Sequence, residues 1–162
     1  MRKPLLIAFG IAAVIVIVAI AAVFWAQKGA HMELRGQILK VRTAPLDENH
    51  SVAVVDFRFL NLADYEYEVR QVTVTVADKS GMTIEGMTIP EIDAQHLFAA
   101  IPLLGQKYNP SLIVRNRIPA HVTQDRMIAA SFPVPEDQLD MRRGLTVRVQ
   151  EHGGVISEIT GN

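Results

Sequence analysis

Two stretches with period-two alternation decide the fold: SVAVVDFRFLN at Ser51–Asn61 and EVRQVTVTVAD at Glu68–Asp78. In the first stretch one set of alternate positions is apolar: Ala53, Val55, Phe57 and Phe59. In the second stretch, valines at 72, 74 and 76 alternate with Thr73, Thr75 and Ala77. Because successive side chains of a strand point to opposite faces, each pattern predicts a strand with one face against a core.

The same alternation extends over most of residues 35–162. It is clear in Arg126–Val134 and Gly144–Glu151, and weaker in four segments: Gly36–Thr43, Met82–Thr88, Leu112–Asn116 and Val155–Ile159. Two short helices are expected, Ala94–Ile101 with Asp93 as its cap, and Pro135–Met141. The sequence therefore predicts a mainly β domain, an immunoglobulin-like antiparallel sandwich of seven or eight strands, with a barrel as the alternative.

A different pattern precedes this domain. Leu5 to Trp25 reads LLIAFGIAAVIVIVAIAAVFW, 21 residues without a charged side chain. As a helix this segment measures roughly 31 Å, close to the thickness of the hydrocarbon core of a bilayer. We therefore expect a cytoplasmic N-terminus at 1–4, a transmembrane helix at 5–25, a spacer at 26–34 and an exported domain at 35–162.

The flanking charges indicate the orientation of this single-pass span. Arg2 and Lys3 precede it and only Lys28 follows closely, so the positive-inside rule places the C-terminal domain in the periplasm or outside the cell. The alternative is a cleaved signal peptide, since Ala19-Ile20-Ala21 has the small-x-small form of a cleavage site. The apolar run is longer than a typical signal sequence, which favours an uncleaved signal-anchor.

One part of the domain resembles a known family. The stretch VVDFRFLNLADYEYEVRQVTVTVADKSG has an aromatic-rich strand ending at Asn61, then Tyr67, then a valine strand ending in the turn Asp78–Gly81. It is similar to the FxLYD and late-embryogenesis-abundant (water-stress) β-sandwich domains, many of which are anchored to bacterial membranes. The literal F-x-L-Y-D motif is absent, and the segment at 90–110 departs from the pattern. The resemblance implies a binding or structural role and no catalytic residues.

Composition excludes several kinds of chemistry. The 162 residues contain no cysteine, which excludes disulfides, thiolate metal sites and a cysteine nucleophile. The net charge of −1 gives no electrostatic support for nucleic-acid binding. The five histidines show no metal-ligand spacing, and no serine lies in a G-x-S-x-G or S-x-x-K motif. We therefore predict no metal, no cofactor and no catalytic residues.

The segment HLFAAIPLLGQKY at 96–108 concentrates apolar side chains outside the predicted strands. One interpretation is a helix that closes an open end of the sandwich. The other is an exposed patch that contacts a protein partner or the membrane surface through these residues: Leu97, Phe98, Ile101, Leu104 and Tyr108.

These patterns favour a non-enzymatic binding or structural module of the cell envelope. The module is anchored in the lipid bilayer through Leu5 to Trp25 and is a possible subunit of a membrane assembly. The alternative is an envelope hydrolase whose site is assembled from distant residues. A third hypothesis, pairing of the span through small faces at Ala12-Ala13 and Ala19-Ala22, has no GxxxG motif behind it.

Overall fold

The structure is a computed structural model that describes residues 13–22 and 33–161. The chain divides into two compact units, Met1–Met32 and Glu33–Asn162. In the first unit, residues 13–22 form a helix (α1) with exposed side chains. Within 13–22 and 33–161, no helix is long and apolar enough to cross a membrane. The ends of the predicted span at Leu5 to Trp25 lie outside the described residues.

The described part of the second unit is mainly β, as predicted. Its eight strands are β1 (Arg35–Pro45), β2 (Ser51–Leu60), β3 (Tyr67–Ala77), β4 (Thr83–Ile89), β5 (Arg117–Ile118), β6 (Thr123–Phe132), β7 (Gly144–Glu151) and β8 (Ile156–Gly161). The helical elements are α2 (Glu91–Ala100), a 3₁₀ turn (Pro102–Leu104) and α3 (Glu136–Asp140). Every strand pair is antiparallel.

Strand β4 joins the two halves of the sheet. The strand order is β1-β2-β6-β4-β3-β7-β8, and β5 pairs with β3. Strand β4 pairs with β3 from Thr83 to Gly86 and with β6 from Met87 to Ile89. Because β4 exchanges partners in mid-strand, the two halves face each other across one core, which is a sandwich-like arrangement.

The inner core confirms the predicted strand faces. Ala53, Val55, Phe57 and Phe59 of β2 are buried in one cluster with the alternate valines of β3 and β7. The rings of Phe57 and Phe59 lie 5.8 Å apart. Tyr67 is buried there too, and its hydroxyl donates a hydrogen bond to the Val149 carbonyl at 3.1 Å. Burial raises the pKa of Tyr67 to about 12.

A second apolar layer covers the opposite face of β2 and β6. Val52 and Val54, on the other face of β2, are completely buried with Ala129. Helix α2 and the 3₁₀ turn supply the cover through Ala94 and Leu104. The segment after β4 thus lies on the outside of a sheet, and does not close an end of the sandwich.

The predicted strand at Leu112–Asn116 is wrong. The Leu112 amide donates to the Met127 carbonyl on β6, and the Arg115 amide then donates to the Val69 carbonyl on β3. Arg115 has φ 69°, in the left-handed region, which turns the chain out of an extended path. The segment therefore crosses between the two halves, and pairing resumes only at β5.

The predicted helix cap at Asp93 is also wrong. Helix α2 begins earlier, with Pro90 at the N-cap, and the Ala94 amide donates to the Pro90 carbonyl at 2.8 Å. Asp93 lies in the first turn together with Glu91. Acidic side chains are favourable there because they face the positive end of the helix dipole.

Candidate functional site

One opening in the domain lies where β4 crosses from β3 to β6. Later in the chain, residues 112–115 cross back from β6 to β3. The space between the two crossings is bounded by 71–73 of β3 and Ile128 of β6. We call this opening the window.

The window has a volume of about 660 Å³, within the usual range of small-molecule sites. Among the described residues that line it, none is aromatic, and the apolar ones are Val72, Met87, Ile89, Pro90, Ile92, Leu112, Ile113, Val114 and Ile128. Val72, Leu112 and Ile128 are buried and belong to the inner core. The window is therefore a passage from solvent to the core of the sandwich.

The rim of the window exposes large apolar side chains. Met87 is 77% exposed, Ile92 68%, Val114 56% and Ile113 44%. A second apolar depression of about 460 Å³ lies on the other side of Met87 and includes Leu46 and Leu97. Contiguous exposed apolar surface of this kind marks binding sites in proteins that are otherwise polar outside.

A charged pair fixes one side of the rim. Glu91, the first residue of α2, accepts hydrogen bonds at Oε1 from Lys107 Nζ and from Gln95 Nε2, the latter at 3.1 Å. Burial raises the pKa of Glu91, but the hydrogen bonds from Lys107 and Gln95 and the charge of Lys107 outweigh burial and hold that pKa at about 2. The carboxylate is ionised at neutral pH, and the pair ties the start of α2 to the loop after the 3₁₀ turn.

The window has few polar side chains, and one polar atom on its lining, Glu91 Oε2, is buried without a hydrogen-bond partner among the described residues. The Thr88 hydroxyl, on the β4 side, donates to the Val72 carbonyl at 3.0 Å. Gln71, Thr73 and Glu85 line the outer part, and Glu85 is exposed. The arrangement suits an apolar occupant whose polar end stays at the surface.

On the opposite side of α2, a buried charge holds the cover of the second layer. We call this group the Arg42 clamp, and its members are Arg42, Asp56, Phe98, Tyr108 and Asn109. Arg42 Nη1 donates to the carbonyls of Leu104 at 2.5 Å and Gln106 at 2.7 Å. Its Nη2 donates to Asp56 Oδ2 at 2.7 Å, with both side chains less than a tenth exposed.

Aromatic rings and an amide complete the clamp. The Arg42 guanidinium carbon lies 5.2 Å from the ring centre of Phe98 and 5.3 Å from that of Tyr108, within cation–π distance. Asn109 Nδ2 donates to Asp56 Oδ1 at 2.8 Å. The clamp thus ties the chain at 98–109 to β1 and β2.

The structure places the five predicted contact residues in unequal positions. Leu104 is completely buried, and Leu97, Phe98 and Ile101 are partly buried against the second layer. Tyr108 is 63% exposed and its ring also lies near Lys40. Partner contact through this segment stays a prediction, and the large apolar side chains that it exposes are Leu103 and Tyr108.

Two histidines and two serines, residue types that could serve in catalysis, have identified partners in the structure. Within 13–22 and 33–161, no three His, Asp or Glu side chains gather in a way that could hold a metal ion. His50 pairs with Asp47, and His121 with Asp64, each at 2.9 Å on the surface. The hydroxyls of Ser51 and Ser131 donate to main-chain carbonyls.

Sequence reasoning missed the window and the clamp. The window depends on crossings whose partners are distant in sequence, and its floor residues look like ordinary strand residues. For the second layer a signal was present: Ser51–Val55 reads SVAVV, apolar on both faces, as expected of a strand covered on both sides.

Comparisons with known proteins do not bear on this interpretation of the window and the clamp. No known protein family matches the chain, and no curated protein does. Among solved structures, a chain titled "Structure of Iho670 Flagellar-like Filament" is similar over 98% of each chain, with 8% identity and a TM-score of 0.36.

Proposed function

We propose that this chain is a non-enzymatic binding module, anchored in a membrane by Leu5 to Trp25 and exposed outside the cytoplasm, and that it binds through the window. One observation carries the proposal: an aliphatic passage that reaches the inner core and is surrounded by exposed Met87, Ile92 and Val114. A passage of this kind, left open in water, is unfavourable unless an apolar group occupies it.

The proposal includes the finer fold assignment, an immunoglobulin-like sandwich related to FxLYD and water-stress domains. Support comes from the antiparallel strands and from the alternating valines of β3, which the resemblance shares. Membrane attachment is supported by the apolar sequence from Leu5 to Trp25 and by Arg2 and Lys3 before it.

The alternative of an envelope hydrolase requires a titratable group with a suitable pKa in a pocket. Glu91 is the group in the window with a shifted pKa, and that pKa is lowered by its pairing with Lys107. A carboxylate with this pKa has no proton to donate as a general acid at neutral pH, and it is also a weak general base. The window therefore favours binding over hydrolysis.

Membrane topology can be tested by cysteine labelling, because the natural chain has no cysteine. Two variants are expressed in bacteria, Lys79→Cys, in the exposed turn after β3, and Arg2→Cys. The cells are then converted to spheroplasts and treated with a membrane-impermeant maleimide. We expect Lys79→Cys to be labelled in intact spheroplasts and Arg2→Cys only after lysis. The reverse pattern would contradict the orientation, and labelling of neither before lysis would contradict export.

Binding through the window can be tested with a photoreactive amino acid in the full-length chain in cells. We expect a photoreactive residue at Val114 to form a cross-linked product that one at Leu103 does not form. Leu103 is a matched control, because it is apolar, 77% exposed and outside the window. Identical products from both positions, or none from Val114, would contradict the proposed site.

A further inference from the structure

We propose that the window binds a small, neutral aliphatic molecule with one hydrogen-bond donor, a hydroxyl or an amide N–H, and that Glu91 Oε2 accepts this hydrogen bond. The body of the molecule packs on Val72, Leu112 and Ile128, the buried lining residues that we call the floor. The inference rests on the proposed function, binding through the window, and names the class of ligand.

The two carboxylate oxygens of Glu91 differ in their partners. Oε1 accepts hydrogen bonds from Lys107 Nζ and Gln95 Nε2, whereas Oε2 is buried and has no partner among the described residues. The pKa of Glu91 is about 2, so the carboxylate is ionised at neutral pH and both oxygens act only as acceptors. A buried carboxylate oxygen without a donor is unfavourable, and a ligand or a water molecule commonly supplies the missing donor.

Glu91 is placed so that an occupant of the window can supply this donor. It is the first residue of α2 and lines the window beside Pro90 and Ile92. Its side chain as a whole is 31% exposed, and rotation about the last bond of a glutamate side chain costs little. The carboxylate can therefore turn Oε2 toward a donor at the rim without a change in the backbone of α2.

The rest of the lining selects the body of the ligand. Its apolar side chains are aliphatic, apart from the thioether Met87, and no aromatic residue is among the described residues that line the window. A sugar or an aromatic ring would therefore find no ring on which to stack. The Thr88 hydroxyl already donates to the Val72 carbonyl. An aliphatic body gains from burial in this site, and one polar group is enough to match Glu91.

The ion pair between Glu91 and Lys107 favours a neutral ligand. A cationic ligand would compete with Lys107 for the carboxylate that it already binds. An anionic ligand would place a second negative charge beside Glu91 Oε2, which is repulsive. A hydroxyl or an amide N–H adds a hydrogen bond to Oε2 and brings no charge that would have to be desolvated.

The test uses the full-length chain in phosphatidylcholine vesicles and two photoreactive probes with the same carbon skeleton and the same diazirine. One probe is an aliphatic alcohol, which donates a hydrogen bond, and the other is the corresponding methyl ketone, which only accepts one. After irradiation, labelled residues are mapped by mass spectrometry, and label on the lipid measures how much of each probe is present. We expect the alcohol to label Val72, Leu112 or Ile128 about tenfold more than the ketone, because the ketone leaves Oε2 without a donor.

Two glutamine variants make the test specific. Glu91→Gln keeps one oxygen for Lys107 and presents an NH₂ donor in place of Oε2, so labelling of the floor by the ketone should rise to at least that by the alcohol. Glu85→Gln makes the same change at an exposed acid in the outer part of the window and should leave the tenfold ratio unchanged. Cooperative thermal unfolding of both variants shows that each remains folded.

The results separate the class of ligand from the proposed function. Equal labelling of the floor by alcohol and ketone would overturn the inference and leave binding in the window standing. The donor to Oε2 would then be a water molecule or the Ser111 hydroxyl, whose oxygen is also buried without a partner among the described residues. A preference for the alcohol that persists in Glu91→Gln would overturn the role of Glu91. Absence of floor label from both probes would overturn the inference, and the cross-link at Val114 would still test the proposed function.

Two charged probes test whether the ligand is neutral. The same skeleton ending in a primary ammonium group or in a carboxylate should label the floor several-fold less than the alcohol does. Equal or greater labelling by the ammonium probe would overturn the neutral part of the proposal and indicate that a cation displaces Lys107 from Glu91. Equal or greater labelling by the carboxylate probe would overturn the assignment of Glu91 as the group that selects the ligand.

Discussion

Apolar surface is covered on one side of α2 and left accessible to solvent on the other. On one side, Val52, Val54 and Ala129 are covered completely by α2 and the 3₁₀ turn. On the other side, the window leaves a path between solvent and the inner core. The covered side has a buried cation that binds two carbonyls of the cover, whereas the window side has only the Glu91–Lys107 pair at its edge. The contrast shows how one short segment, α2 with the 3₁₀ turn, can cover one apolar surface and leave another accessible to solvent.

The largest effect is expected from breaking the Arg42 clamp. Arg42→Met leaves the Asp56 carboxylate buried with Asn109 but without its cation, which should reduce the free energy of unfolding by about 3–5 kcal/mol. Denaturant unfolding of the full-length chain measures this loss. The double variant Arg42→Met/Asp56→Leu should recover most of it, because no charge is then left buried.

The exposed pair Arg58–Asp125 provides the matched control for this variant. Its hydrogen bonds are as short, 2.7 and 2.8 Å, but both side chains face solvent. Arg58→Met should change stability little, since exposed ion pairs are screened by water. Equal losses from Arg42→Met and Arg58→Met would show that burial does not distinguish the two pairs.

Phe98 and Ile92 test the comparison within one helix. Phe98→Ala removes a ring that packs on the second layer and on Arg42, and should cost about 2 kcal/mol, less than a fully buried phenylalanine. Ile92→Ala, on the rim of the window, should cost below about 0.5 kcal/mol because its side chain is exposed. Thermal and denaturant unfolding compare them directly, and a larger loss at Ile92 would contradict the assignment of covered and open sides.

Gly86 tests the crossing that frames the window. A Cβ at this position would lie 2.6 Å from Cζ of the buried Phe132, so Gly86→Ala should cost about 1–3 kcal/mol through overpacking. Gly144→Ala is the control, since the nearest atom to its added Cβ is 3.7 Å away. Similar stabilities of the two variants would show that the exchange of partners by β4 does not require glycine.

A smaller effect than those of the clamp and of Gly86 concerns Glu91 and pH. Its pKa is about 2 in the folded chain, below the ordinary value of 4.5, so the unfolded chain takes up a proton first as the solution is acidified. The stabilisation by this pair is complete above about pH 4.5 and is lost as the pH falls toward 2. Because the pair is partly exposed, the loss should be below about 1 kcal/mol.

This pH dependence is measured as the free energy of unfolding between pH 2 and 7. Glu91→Gln should make the acid limb less steep, because it removes the group that takes up the proton. Glu48→Gln, in an exposed loop, is the control and should leave the limb as it is. An identical acid limb for Glu91→Gln and the natural chain would contradict a stabilising role for the pair.

Local pattern was sufficient for the strands and insufficient for the crossings. The alternating valines of β3 and the aromatic alternation of β2 predicted both the elements and the faces that enter the core. The segment at 112–116 has equally apolar residues, Leu112 to Val114, and it forms no strand because its amides bond to β6 and β3 in turn. Such a change of partner leaves no trace in the periodicity of the segment, since both partners are distant in sequence.

The candidate site shows the same limit. The apolar excursion at 96–108 was identified from composition, but its residues were divided by packing: Leu104 lies inside, while Tyr108 and Leu103 remain outside. The window includes Ile113 and Val114, which composition alone treats as strand residues. Arg42 and Asp56 carry no local sign that they pair, because they meet only when β1 and β2 are side by side.

Alternation of side chains along each strand is a local property, so the amino-acid order determined the mainly antiparallel β class and the faces turned to the core. Exchange of partners by β4, the crossing at 112–115 and the burial of Arg42 with Asp56 are contacts between distant segments. Tertiary structure alone decided them, because a surface is covered or left open only when another part of the chain packs against it or fails to.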